Sequence, residues 1–172
     1  MLTIINGTNR PQNQTQLFSS FYYNYLKNRN VEVQYFSMEQ LPADFLHQEM
    51  YGNRTPVFDN LIEQYIIGAN KFVFFLPEYN KSYARITKLF VDAVPPKFFR
   101  GKKAAIIGIS DGRAGNLMGI DHFTAVLNHV GIQTTPQRLP ISRISEFIKD
   151  RNIVDDNTIK LLQQHADNFV LF

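Results

Sequence analysis

The sequence predicts a doubly wound α/β fold, a five-stranded parallel sheet with helices on both faces, in one domain spanning residues 1–172. Three observations predict it. Short apolar runs alternate with helical patterns along the whole chain. Two of those runs, Lys71 to Leu76 and Ala104 to Ile109, are apolar almost throughout, as in parallel strands covered on both faces. The length of 172 residues suits a single core, which buries roughly 70% of the surface of an unfolded chain of this size.

Leu2 to Asn6 is an apolar run that stops at Gly7. From Thr15 the spacing turns helical through Leu17, Phe18, Phe21, Tyr22, Tyr25 and Leu26, and this aromatic stripe reads as core rather than as a cofactor box. Val31 to Phe36 is β-branched or aromatic at most positions and follows the polar turn Lys27 to Asn30, which marks a second strand. A long irregular connection from Ser37 to Val57 contains Pro42, Gly52 and Pro56, and connections of that length usually have a function. It leads into a helix carrying Leu61, Ile62, Tyr65 and Ile66. Pro77 stops the third strand, and a helix from Ala84 to Val94 ends at Pro95-Pro96. The fourth strand, Ala104 to Ile109, closes on the polar stretch Ser110 to Asn116. A helix from Leu117 to His129, a fifth strand from Gly131 to Arg138 and a last helix from Asp155 complete the pattern, the two acids at 155 and 156 suiting a helix start.

Apolar residues make up 44% of the chain and charged residues 19%, a globular balance with a net charge of only +3 that calls for no nucleic-acid partner. The cluster Lys97, Arg100, Lys102 and Lys103 reads as a solvated edge. With no cysteine, thiol nucleophiles, disulfides and Cys-ligated metals are excluded, so any redox chemistry needs a bound cofactor. No apolar run approaches the ~20 residues of a membrane span and the start has no secretory pattern, so the expectation is a cytoplasmic protein without a membrane partner. His122 and His129 stand seven apart and lack the spacing and further ligands of a zinc site. Phe98-Phe99, between prolines and the basic cluster, reads as an exposed subunit contact.

A strand order of 2-1-3-4-5, that of flavodoxin-like folds, sets the first, third and fourth strands side by side, so the loops leaving them share one crevice. Those three loops carry the conspicuous chemistry. The first, Gly7 to Thr15, gathers Thr8, Arg10, Asn13, Gln14, Thr15 and exposed amides at a helix start, an anion cradle. It is neither a Walker A loop nor a Gly-x-Gly-x-x-Gly turn, and one Arg among neutral donors suits a monophosphate. The second, Pro77-Glu78-Tyr79-Asn80-Lys81-Ser82, offers an aromatic ring and amides to a planar heteroaromatic group. The third, with Ser110, Gly112 and Gly115, lets backbone approach a ligand closely. Gly108-Ile109-Ser110-Asp111-Gly112 also fits a Gly-x-Ser-x-Gly elbow, with Asp155 and His165 following in hydrolase order. A serine hydrolase is therefore a distant alternative, opposed by Arg113 to Asn116 intervening before the helix and by the lack of a Gly-rich oxyanion segment.

These loops resemble those of the NADPH-dependent FMN reductases, which include azo-, quinone- and chromate-reducing flavoproteins, and the resemblance runs nearly the whole chain. The family's first loop, Gly-Ser-x-Arg-x-x-Ser-x-Thr/Asn, is matched by Gly7, Thr8, Arg10 and Thr15, with Asn13 in place of Ser. Its second motif, Pro-Glu-Tyr-Asn followed by a Gly-Ser pair, a Pro-Gly, a Lys and an Asp, is matched at Pro77 to Asn80, Ser82, Lys88 and Asp92. Lys81 stands where the family has Gly, Ala84-Arg85 replaces its Pro-Gly, and Asp111 and Asn116 replace glycines of its third loop. The resemblance implies FMN, its phosphate held by Thr8, Arg10, Asn13, Gln14 and Thr15, and its ring bordered by Tyr79. Backbone N–H groups of Glu78 to Asn80 and of the Gly112 region would face that ring. It also implies NAD(P)H as hydride donor, a small-molecule electron acceptor, chemistry carried by flavin with no side-chain nucleophile, and a homo-oligomer, dimer or tetramer. A flavodoxin-like electron carrier, or a non-catalytic module that has lost FMN, is the alternative.

Overall fold

The structure, a computed structural model, describes all of Met1–Phe172. Leu2–Asn6 (β1) is buried along its length. Thr15–Asn28 (α1), Val33–Ser37 (β2), a single turn at Phe45–Gln48 (α2) and Pro56–Ile62 (α3) follow, and α3 continues as a π-helical turn over Glu63–Ile67. Next come Lys71–Pro77 (β3), Arg85–Ala93 (α4), Lys103–Ile109 (β4), Leu117–His129 (α5), Gln133–Thr134 (β5) and Leu139–Ile141 (β6). The small hairpin of Ile148–Lys149 (β7) and Asn152–Ile153 (β8) precedes Asp156–Leu171 (α6). The sheet runs β2-β1-β3-β4-β5, every neighbour parallel, with β6 also paired to β4.

Alternation along the strands sorts the core into two layers. Ile5, Phe74 and Ile106 face α3, α4 and α5, where they meet Ile62, Phe90 and Phe123. Ile4, Val73 and Ala105, in register across β1, β3 and β4, face α1 and α6, where Phe18, Tyr22, Leu162 and Phe169 cover them. The aromatic stripe of α1 thus belongs to the core, as its spacing predicts. Phe99 is fully buried and meets Phe72 edge-on at 6.1 Å, so it is not the exposed contact that Phe98-Phe99 suggests in sequence.

Two strands differ from expectation. The second begins at Val33 rather than Val31, because Asn30 takes a φ of +58° and Val31 N bonds back to Leu26 O at 3.1 Å, closing α1. The fifth, expected over Gly131 to Arg138, is two pieces. Thr135 N still donates to Ala104 O at 2.8 Å, but Pro136 has no N–H to offer and the chain leaves β4 until Leu139. The basic cluster also differs from a merely solvated edge. Lys102 Nζ donates to Ile66 O and Ile67 O, and Lys103 Nζ to Phe172 O, while Lys71 Nζ reaches Val170 O at 2.8 Å. These ammonium groups cap helix C-termini at the amino end of the sheet.

Candidate active site

At the carboxyl end, β1, β3 and β4 stop side by side and their loops are tied together. Gly7 N donates to Phe75 O at 2.8 Å, and Glu78 N to Ile109 O at 2.9 Å. Gly7 has no alternative, since a Cβ there would stand 2.7 Å from Phe75 O and 2.8 Å from Leu76 Cδ2. Between the loops lies a cleft of about 450 Å³, within the size range of small-ligand sites. The structure brings Arg10, Asn13, Gln14, Thr15, Pro77, Glu78, Tyr79 and Ser110 to its walls. It adds Pro11, Gln12, Ile109, Asp111 and Ile144, which the sequence reading did not assign to ligand binding.

In the first loop the donors divide into two sets. Thr8 is fully buried and braces the loop, its Oγ1 accepting from Arg10 N at 3.2 Å and lying 3.0 Å from the Tyr79 hydroxyl. Asn13 is committed inward too: Oδ1 accepts from Gln16 N at 2.8 Å, capping α1, and Nδ2 donates to Arg10 O and to Glu39 Oε1, each at 2.8 Å. By contrast, the amides of Gln12, Asn13, Gln14 and Thr15 have no acceptor in the chain, and neither the Thr15 hydroxyl nor the Arg10 guanidinium has a partner. Four uncommitted N–H groups at a helix start, a hydroxyl and a guanidinium form a donor set with no acceptor of its own.

The second loop is a tight turn. Tyr79 N donates to Ser82 O at 2.7 Å and Ser82 N to Tyr79 O at 3.1 Å, with Asn80 and Lys81 at φ of +50° and +67°. Positive φ at both central residues is the type I′ geometry, which explains why a glycine suits position 81. Lys81 sits at the exposed tip with Asn80, off the cleft wall. Glu78 N, Tyr79 N and Gly112 N, expected to face a ring, are instead committed to Ile109 O, Ser82 O and Ser110 Oγ, whereas the amides of Asn80, Asp111 and Arg113 have no acceptor in the chain.

The third loop is fixed from behind. Asp111 Oδ1 accepts from Ser145 N at 3.0 Å, and hydrogen bonding from the Ser145 side chain and backbone holds its carboxyl below the ordinary range. Gly115 packs on β6, a Cβ there falling 2.8 Å from Pro140 Cβ, so it shapes the wall without lining the cleft. Asn116 takes the left-handed conformation its position needs, φ +63°, and donates to Leu76 O at 2.9 Å. The hydrolase arrangement does not assemble. Ser110 Oγ accepts from Gly112 N, Asp155 Oδ2 caps α6 through Thr158 N at 2.7 Å, and His165 Nδ1 lies 3.0 Å from the Tyr22 hydroxyl in the core. Burial lowers the His165 pKa to about 4.

The donor set suits a phosphate monoester on a small planar ligand, and Tyr79 and Pro77 supply a flat border for the ring; the residues present therefore fit FMN. A family model described as NADPH-dependent FMN reductase matches residues 1–145. The chain belongs to that family. It is 28% identical over 131 residues to an NAD(P)H-dependent FMN reductase of Pseudomonas aeruginosa, covering 73% of this chain and 71% of that protein. It is 28% identical over 130 residues to a 2-hydroxy-1,4-benzoquinone reductase of a Burkholderia species, covering 72% and 71%. Its fold matches that of the flavoenzyme NAD(P)H:(acceptor) oxidoreductase of Paracoccus denitrificans with a TM-score of 0.76, at 22% identity over 98% of this chain and 94% of that one. Within this FMN reductase no helix is long and apolar enough to cross a membrane.

Proposed function

We infer that this chain is an FMN-dependent oxidoreductase that uses NAD(P)H to reduce a small-molecule acceptor, a class to which flavins, quinones and azo compounds belong. The observation that carries the reading is the uncommitted donor set of Gln12 to Thr15 and Arg10, facing the Pro77 to Tyr79 wall across one cleft in a chain of the FMN reductase family. When bound, the flavin supplies the hydride-accepting and hydride-donating chemistry, and no side chain need act as nucleophile.

The residues of this chain bind and orient. Arg10, the Thr15 hydroxyl and the amides of Gln12 to Thr15 hold the phosphate; Gln14 flanks it; Thr8 and Asn13 keep the loop in shape. Pro77, Glu78 and Tyr79 would border the ring, Ser110 and the uncommitted Asp111 amide would meet it from the opposite wall, and Gly112 fixes Ser110 while Gly115 packs that wall against β6. Residues 1–172 act as one flavodoxin-like domain, cytoplasmic and assembled as a homo-oligomer.

The test is an absorption spectrum of the purified protein after incubation with FMN and removal of the excess. Bands near ~375 and ~450 nm that bleach on adding NADPH or NADH support the reading. A protein that remains colourless at saturating FMN overturns it.

A further inference from the structure

Three charged side chains line the flavin cleft: Arg10, Glu78 and Asp111. Arg10 belongs to the phosphate end, so the walls that would meet the ring carry two carboxylates and no cation. The lysines nearby in sequence do not offset them. Lys81 sits at the exposed turn tip, off the cleft wall, and the Lys88 ammonium is held by Asp92 at 2.7 Å.

The two carboxylates differ. Asp111 is exposed and its Oδ1 is engaged by Ser145 N at 3.0 Å, so water and a hydrogen bond spread its charge. Glu78 is half-buried. Its backbone is fixed by the bond from Glu78 N to Ile109 O, and its carboxylate reaches across to the third loop, Oε2 lying 4.0 Å from where a Cβ on Gly112 would stand. It has no ion pair, and no donor of the chain bonds to it. The Glu78 charge therefore supports no turn, cap or partner of the fold, and in a half-buried position its field is damped less than in open water. What that field acts on is whatever occupies the cleft.

We propose that Glu78 sets the reducing power of the bound flavin, its unpaired charge disfavouring the reduced ring relative to the oxidised one. The proposal rests on the flavin reading above. A hydride from NAD(P)H brings two electrons and one proton to the ring, so the reduced ring carries one negative charge more than the oxidised ring until a second proton follows. A fixed carboxylate beside the ring opposes that charge, and no cation on the same walls offsets it. The reduced flavin is thereby held as a stronger reductant. By linkage, Glu78 weakens the binding of reduced FMN and leaves that of oxidised FMN nearly untouched.

The experiment uses FMN-loaded wild type, Glu78→Gln, Glu78→Asp and Asp111→Asn. Each is equilibrated without oxygen against a reference dye of known potential, and the Kd of oxidised FMN is measured separately by fluorescence. Glu78→Gln is expected to move the ratio of reduced to oxidised flavin about tenfold toward reduced, ~30 mV for a two-electron couple, with the oxidised Kd within about twofold of wild type. Glu78→Asp keeps the charge and should keep the wild-type ratio to within about twofold, while Asp111→Asn, which retains an acceptor for Ser145 N, should move it about threefold. An unmoved ratio in Glu78→Gln, an equal shift in Glu78→Asp, or a larger one in Asp111→Asn overturns the assignment. So does a tenfold loss of oxidised FMN by Glu78→Gln, since the side chain would then hold the ring by contact and not act through its charge. A wild type that takes up no FMN overturns the flavin reading instead, and that failure shows before any dye is added.

Discussion

At the amino end of the sheet, Lys71, Lys102 and Lys103 donate to the carbonyls of helices that finish there, whereas at the carboxyl end the amides of Gln12 to Thr15 open into a cleft with no partner in the chain. The same backbone polarity is completed internally at one end and left incomplete at the other. Satisfied groups stabilise, and unsatisfied ones bind; the two roles are separated by the length of β3.

The largest effect should come from disturbing the open end at its base. Gly7→Ala forces a Cβ into Phe75 O and is expected to cost about 3 kcal/mol in urea unfolding and to abolish FMN retention on gel filtration. At the satisfied end the buried body of the fold responds to acid through His165. The unfolded chain takes up a proton below its ordinary pKa of 6.5, which the native imidazole, lowered to about 4 by burial, refuses. Stability is therefore complete above pH 6.5 and falls by about 3 kcal/mol as pH drops to 4, a slope that unfolding of His165→Leu at pH 7 and 4.5 should lack.

Smaller changes should separate the ends. Arg10→Ala is expected to raise the FMN Kd about tenfold while the unfolding midpoint of the flavin-free protein stays put. Lys103→Met should do the reverse, costing about 1 kcal/mol of stability with an unchanged FMN Kd. If Lys103→Met weakened FMN instead, the two ends would be coupled and the contrast lost. Smallest is Lys81→Gly, which relieves the positive φ at the turn tip; a gain of about 0.5 kcal/mol by chemical unfolding is expected.

What could be read in advance follows from how local each feature is. β3 and β4 are buried on both faces and announce themselves by composition; so do the Pro77 to Asn80 turn and the polar loop before α1. The fifth strand was less legible because it is an edge whose pairing is decided by Pro136 and by β4, and the start of β2 because Asn30 turns Val31 back onto α1. In the site, sequence supplies donors but not their directions. Thr8 matches the phosphate motif and Asn13 replaces its Ser, yet Thr8 faces Tyr79, and Asn13 faces Glu39 and the loop backbone. Ile144 carries no local signal at all and reaches the cleft only because β6 pairs with β4, some thirty residues earlier in the chain.

The break in that last strand bears on how copies of the chain meet. A parallel sheet grows without limit when its two edges can join head to tail, and β2 is available at one side. Opposite it, Gln133–Thr134 and Leu139–Ile141 are too short, and separated by Pro136, to template a continuous ladder. Head-to-tail growth of the sheet, β2 of one copy against the far edge of the next, therefore finds no continuous strand to join.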